Sequence, residues 1–148
     1  MGQKVDPRGF RVGVMQPWPC EWYAVTQKQG AQFFVEDIKI RELIEKVYPR
    51  AGISKVVIRK SDKEGEVMIF GAKPATIIGK DGKKLSDFEA TLTKMYNKPF
   101  KIVVKEIKVP ELSAKIMSEF TAVQLESRMP FRRVAKGVIQ KIMEKGAI

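Results

Sequence analysis

Between two stretches of helical character stands the tetrapeptide Gly79-Lys80-Asp81-Gly82. The stretch before it, 74–78 (Pro-Ala-Thr-Ile-Ile), suits a short helix with proline in its first turn. The stretch after it, Lys83 to about Asn97, puts Leu85, Phe88, Leu92 and Met95 or Tyr96 on one face and stops before Pro99. A Gly-x-x-Gly break admits backbone angles closed to other residues and removes side chains that would block a ligand. Its N–H groups and the start of the next helix then converge on one spot suited to an anion. Alone, such a turn is short and common; its weight comes from what flanks it.

Upstream, Ile40, Leu43, Ile44, Val47 and Tyr48 trace a buried helical stripe, with Glu36 and Asp37 at its start and Pro49 at its end. Ala51-Gly52 makes a turn. Ile53 to Lys60 reads as a β-branched strand, 61–65 as a polar loop ending in glycine, and Glu66 to Phe70 as a second strand of a hairpin. Downstream, Phe100 to Val109 alternates as a strand closed by Pro110. The predicted order is therefore helix-strand-strand-helix-helix-strand, an α+β arrangement over residues 36–109.

Beyond Pro110, Leu112, Ile116, Phe120 and Val123 mark one further helix. Met129-Pro130 breaks it, and Phe131, Val134, Ala135, Val138 and Ile142 mark another. Residues 110–148 thus read as a helical hairpin. Residues 1–35 show no sustained periodicity and read as an extended arm, with a short helix near Trp22, that orders against another surface. Its Trp18 and Trp22 suit either stacking on bases or packing as a lid on the chain itself.

Charge decides the class of partner. Lysine and arginine number 28 against 17 acidic residues, a net +11. The excess is +2 in residues 1–34, +6 in 35–110 and +3 in 111–148, so it sits on folded surface rather than in a basic tail. It attracts polyanions and opposes self-association; the expected partner is acidic and the chain is not expected to be a homo-oligomer.

Several chemistries drop out. There is no histidine, hence no imidazole base or ligand, and Cys20 is the single cysteine, so neither an internal disulfide nor a cysteine-cluster metal site can form. A P-loop would need glycine where Pro74 stands and a hydroxyl residue where Asp81 stands. Glu64 and Glu66 read as solvated hairpin charges. No apolar run is long enough for a membrane span and no secretory signal opens the chain, so a soluble intracellular binding protein without cofactor, metal or catalysis is expected.

Two groups of cations stand where stability alone would not put them. Lys83 and Lys84 fall in the first turn of the helix after the glycine turn, where the helix dipole disfavours positive charge by up to about 1 kcal/mol each. Arg132, Arg133 and Lys136 repeat this at the start of the last helix, Arg132 and Lys136 on a shared face, with Arg128 just before the break. A phosphate backbone would explain both groups; a solvated basic face is the plainer account of the second. Asp81 is a misfit, since its charge repels phosphate unless it points away or caps a helix.

The element order and the run Ile77-Ile78-Gly79-Lys80-Asp81-Gly82 resemble a type II K-homology (KH) domain, whose glycine turn clamps about four nucleotides of RNA or single-stranded DNA. The resemblance extends over nearly the whole chain. Met1-Gly2-Gln3-Lys4-Val5-Asp6-Pro7, the Trp18 and Trp22 region, Lys108-Val109-Pro110-Glu111-Leu112, Gln124-Leu125-Glu126 and Pro130-Phe131-Arg132-Arg133 are similar to the bacterial family of small ribosomal subunit protein S three.

That resemblance implies a cytoplasmic, structural component of the small subunit head. Its expected partners are ribosomal RNA, messenger RNA and neighbouring small-subunit proteins. Gly79, Lys80, Asp81, Gly82, Lys83 and Lys84 are then the KH turn, and Arg132, Arg133 and Lys136 line the channel through which message enters. Gly2, Gln3, Lys4, Arg8, Arg11, Trp18, Trp22 and Arg128 are expected on ribosomal RNA. A free KH-type factor in RNA processing or decay is the alternative. The family continues past a segment like Gly146-Ala147 into glycine-rich strands of a second α/β domain. The resemblance therefore implies a C-terminally truncated chain, or a hairpin that packs on another surface.

Overall fold

The computed structural model describes residues 2–49, 51–61, 64–79 and 82–147. The elements run α1 (Pro7–Arg11), β1 (Cys20–Glu21), α2 (Gln27–Val47), β2 (Ile53–Lys60), β3 (Gly65–Gly71), α3 (Pro74–Ile78), α4 (Lys83–Tyr96), β4 (Phe100–Glu106), a 3-10 turn (Pro110–Leu112), α5 (Ala114–Glu126) and α6 (Phe131–Glu144). The strands form one sheet in the order β1-β2-β3-β4. β2 and β3 are an antiparallel hairpin with Val57 opposite Met68 and Lys60 opposite Gly65; β1 joins β2, and β4 joins β3, in parallel.

Alternation along the strands sorts their side chains. Val56, Ile58, Val67, Ile69, Phe100 and Ile102 face α2, α3 and α4, and pack with Ile40, Ile44, Ile77, Phe88 and Leu92 into one core. Burying such a side chain stabilises the fold by about 1.5–3 kcal/mol. The other sheet face carries Val57 and Met68, both buried, and α5 lies against β2. Gly65 is required by packing: the ring of Phe100 occupies the space a side chain would take.

The first two predicted strands and the helices α3 and α4 lie where the sequence put them, whereas β4 ends at Glu106, three residues short of Val109. Of the alternatives for the α4 face, Tyr96 is half-buried against the core and Met95 is exposed. Three expectations need correction. The first long helix begins at Gln27, capped by the Thr26 hydroxyl, and not at Glu36, so a boundary after residue 35 cuts through a continuous helix. Glu36 and Asp37 are therefore mid-helix residues engaged with a strand, not dipole-facing starters. The segment before Trp22 is a strand, β1, completed by pairing to β2, rather than a helix. The stripe of the last helix is only partly covered: Val134 is buried, whereas Phe131 and Ala135 are exposed.

Candidate nucleic-acid interface

α3 ends at Gly79, which takes φ 75° while its N–H donates to the carbonyl of Ala75 at 2.9 Å. α4 opens at Gly82, at φ 73° in the left-handed region that favours glycine. The glycines differ in surroundings. A Cβ on Gly79 would meet the Lys84 stem, 2.8 Å from Cγ, whereas one on Gly82 would meet nothing. Gly79 thus lets the Lys84 side chain lie across the turn, and Gly82 leaves the approach to the helix open. Lys80 and Asp81, between them, lie outside the described residues.

Among the described residues no side chain caps α4 and no acidic residue occupies its first turn, and Lys83 and Lys84 are exposed there. The helix is anchored from behind by the Tyr48 hydroxyl, which donates to the Lys84 carbonyl at 3.3 Å, and by the edge-on contact of Tyr48 with Phe88. Burial, reinforced by the charges of Asp87 and Glu89, pushes the Tyr48 phenol up.

α6 repeats this design. Its N-cap is Pro130, which offers no side-chain acceptor, and Arg132, Arg133 and Lys136 are all exposed. The Arg132 guanidinium stands 5.8 Å from the centre of the exposed Phe131 ring. The other helix starts differ: Asp6 caps α1 and Thr26 caps α2, while Lys115 in the first turn of α5 is held by Glu45 at 2.8 Å. Among the described residues, α4 and α6 are the helices that combine an uncapped start with unpaired first-turn cations.

Arg128 sits at the sharp corner between α5 and α6 with φ 61°. Its N–H donates to Leu125 and that of Met129 donates back to Gln124, closing a Schellman turn at a position usually held by glycine.

In the arm, Gly2, Gln3 and Lys4 are exposed. Arg8 pairs with Asp6 at 3.1 Å and Arg11 donates to the Pro7 carbonyl at 2.8 Å, so both guanidinium groups make contacts within α1 while staying exposed. The tryptophans part company. Trp18 is exposed, but Trp22 packs edge-on against Phe33, and its indole N–H donates to the buried Asp37 at 2.8 Å. The packing reading holds for Trp22, whose polar edge is turned inward onto Asp37.

Sequence reasoning passed over the residues that receive it. Asp37 also pairs with Lys60, which further donates to Glu36 and to the Phe33 carbonyl. Arg41 reaches the Val56 and Pro19 carbonyls and the Cys20 sulfur. Burial and the Asp37 carboxylate push the Cys20 thiol up, against the opposing effect of Arg41. One signal was available: Lys60 continues the inward parity of Val56 and Ile58, and a lysine there needs a buried partner. Together these bonds fasten the arm to the sheet.

Comparison with known proteins agrees with this architecture. The KH domain family matches residues 39–112. Small ribosomal subunit protein uS3 of Pediococcus pentosaceus is 43% identical over 147 residues, covering 99% of this chain and 65% of that protein. The uS3 proteins of Desulfatibacillum aliphaticivorans and Clostridium kluyveri are 40% and 44% identical, again over 99% of this chain and over 67% and 66% of their own lengths. The chain thus spans about two-thirds of the relatives it matches. It is an α+β chain built on a type II KH domain, and it belongs to the family of small ribosomal subunit protein uS3.

Proposed function

We propose that this chain is a structural RNA-binding component of the small ribosomal subunit head, holding ribosomal RNA and, at the channel through which it enters, messenger RNA. One observation carries the reading: among the described residues, α4 and α6 start without a side-chain cap and present cations that no carboxylate satisfies. Such a start is electrostatically unfavourable until an anion arrives. The family membership supports a ribosomal polynucleotide as that anion.

In this reading the backbone amides at Gly82 and the start of α4, with Lys83 and Lys84, grip one stretch of phosphates. Arg132, Arg133 and Lys136 grip another. The grip is passive: the cations hold separated strands while translocation of the ribosome supplies the work. Lys4, Arg8, Arg11, Trp18 and Arg128 extend the contact along ribosomal RNA. No bond is made or broken and no cofactor is needed.

The test is an Arg132→Ala, Arg133→Ala, Lys136→Ala chain assembled into small subunits. Translation through a stable message hairpin should slow while the yield of assembled subunits stays near normal. A large assembly defect with normal hairpin passage would reassign the cluster to ribosomal RNA. Failure of the unaltered chain to co-sediment with small subunits in moderate salt would favour a free KH-type factor.

A further inference from the structure

β4 is the outer strand of the sheet. It pairs with β3 from Gly65 opposite Phe100 to Gly71 opposite Glu106, and among the described residues no strand pairs with its far side. The bonds at the two ends of the ladder show which backbone groups are spent. Gly65 N–H donates to the Pro99 carbonyl at 3.0 Å, and Ile107 N–H donates to the Gly71 carbonyl at 3.1 Å. In a parallel pair the residues of one strand turn both backbone groups alternately toward the neighbour and away from it. Lys101, Val103 and Lys105 therefore bond to β3, whereas Phe100, Ile102, Val104 and Glu106 turn their groups outward. Such a row of open donors and acceptors is a template for a strand from another chain.

A helix side chain interrupts the row. Glu89, half-buried on α4, accepts the outward N–H of Ile102 on Oε1 at 2.8 Å. Its carboxylate enters no ion pair among the described residues, so its bond there is to that amide. The position matters. Any three successive outward residues include Ile102, so a strand adding along this edge must displace the carboxylate or make do with Val104 and Glu106. Its own carbonyl, brought to Ile102, meets a negative oxygen instead of a donor.

A second copy meets another obstacle. Laid antiparallel on itself about Val103, β4 would set Lys101 of each copy directly opposite Lys105 of the other. Both lysines are exposed on the outer face, and like charges in that relation are destabilising. We propose that Glu89 is a gate on the β4 edge, which keeps the sheet from pairing strand to strand with a second copy of this chain, and that Lys101 and Lys105 back it up. The inference does not rest on RNA binding and uses neither helix start.

The full chain is followed by sedimentation velocity over a wide range of concentration, with circular dichroism to check folding. The unaltered chain should stay monomeric. The Glu89→Ala, Lys105→Glu variant opens the gate and turns the lysine clash into an attraction, so it should dimerise. Glu89→Gln, Lys105→Glu keeps an acceptor oxygen on the Ile102 amide and should stay monomeric. Adding Val104→Pro to the dimerising variant removes an outward donor that β3 does not use, which an edge strand tolerates, and should restore the monomer. A folded Glu89→Ala, Lys105→Glu chain that stays monomeric overturns the proposal, as does a dimer that survives Val104→Pro or forms equally with glutamine at position 89. Amide hydrogen exchange in the unaltered chain tests the gate without any variant. The Ile102 amide should exchange about tenfold more slowly than the outward amide of Val104, and equal rates overturn the proposal.

Discussion

Lys60 Nζ stands 2.6 Å from Oδ1 of Asp37, and the two side chains are only 3% and 4% exposed. The pair joins the end of β2 to the middle of α2, and the other Asp37 oxygen receives the Trp22 indole from the arm. Two buried charges of opposite sign stabilise little in net terms, but removing one strands the other in a low-dielectric interior. Lys60→Met should therefore destabilise the chain by about 3–5 kcal/mol, and the double variant Lys60→Met, Asp37→Leu should recover most of the loss. Urea denaturation followed by Trp22 fluorescence measures both. Equal instability of single and double variants would show that the pair does more than satisfy itself.

The tryptophans separate by urea denaturation followed by far-ultraviolet circular dichroism, which needs neither indole. Trp22→Phe keeps the ring but removes the donor to Asp37 and should cost about 1.5–3 kcal/mol, as for hydrogen bonds to charged groups. Trp18→Ala should leave stability within about 0.5 kcal/mol, because the side chain is exposed.

Gly82→Asp puts a carboxylate at the open mouth of the α4 site, in a left-handed conformation that aspartate tolerates better than most residues. Crosslinking of the turn to RNA should fall several-fold for Gly82→Asp and much less for Gly82→Asn, with similar thermal stability. Gly79→Ala should behave differently, losing stability by about 1–2 kcal/mol because its Cβ collides with the Lys84 stem. Undiminished crosslinking in Gly82→Asp would remove the turn from the interface.

Phosphate contacts set a salt law. For six neutralised phosphates, log affinity against log salt should have a slope of roughly −4 to −5, and alanine at Arg132, Arg133 and Lys136 together should flatten it by about 2. A slope near zero in the unaltered chain would mean that the cations do not meet phosphates.

Arg128 adopts φ 61° where glycine would close the α5–α6 corner without strain. Arg128→Gly should raise stability by about 1 kcal/mol while weakening RNA binding and reducing the salt slope. A gain in stability without loss of affinity would make the arginine a passenger at that corner.

Alkaline pH should loosen the fold. Burial raises the Cys20 thiol and the Tyr48 and Tyr96 phenols above their ordinary values of 9.0 and 10.0. Above about pH 9 the unfolded chain releases these protons before the folded one does, so the folded state binds more protons and stability falls as pH rises. Below the ordinary values the contribution is fully present. Melting temperatures at pH 7 and pH 10 test the sign, and Cys20→Ser should soften the first part of the decline.

How much of this was legible follows from the range of the forces involved. β2, β3, α3, α4 and β4 were readable because apolar alternation, the stripe Leu85-Phe88-Leu92 and the stops at Pro49, Gly79, Pro99 and Pro110 act within a few residues. The two cation groups were readable for the same reason: a lysine in a first turn is a local electrostatic anomaly. The pairing of β1 with β2, the bond from Trp22 to Asp37, and the burial of Lys60 were not, because each joins residues far apart in the chain and depends on which surfaces the sheet brings together. The amino-acid order by itself determined the KH framework and its cation-bearing helix starts; packing alone decided that one tryptophan became a structural pin, since only a folded interior makes a buried carboxylate need its donor.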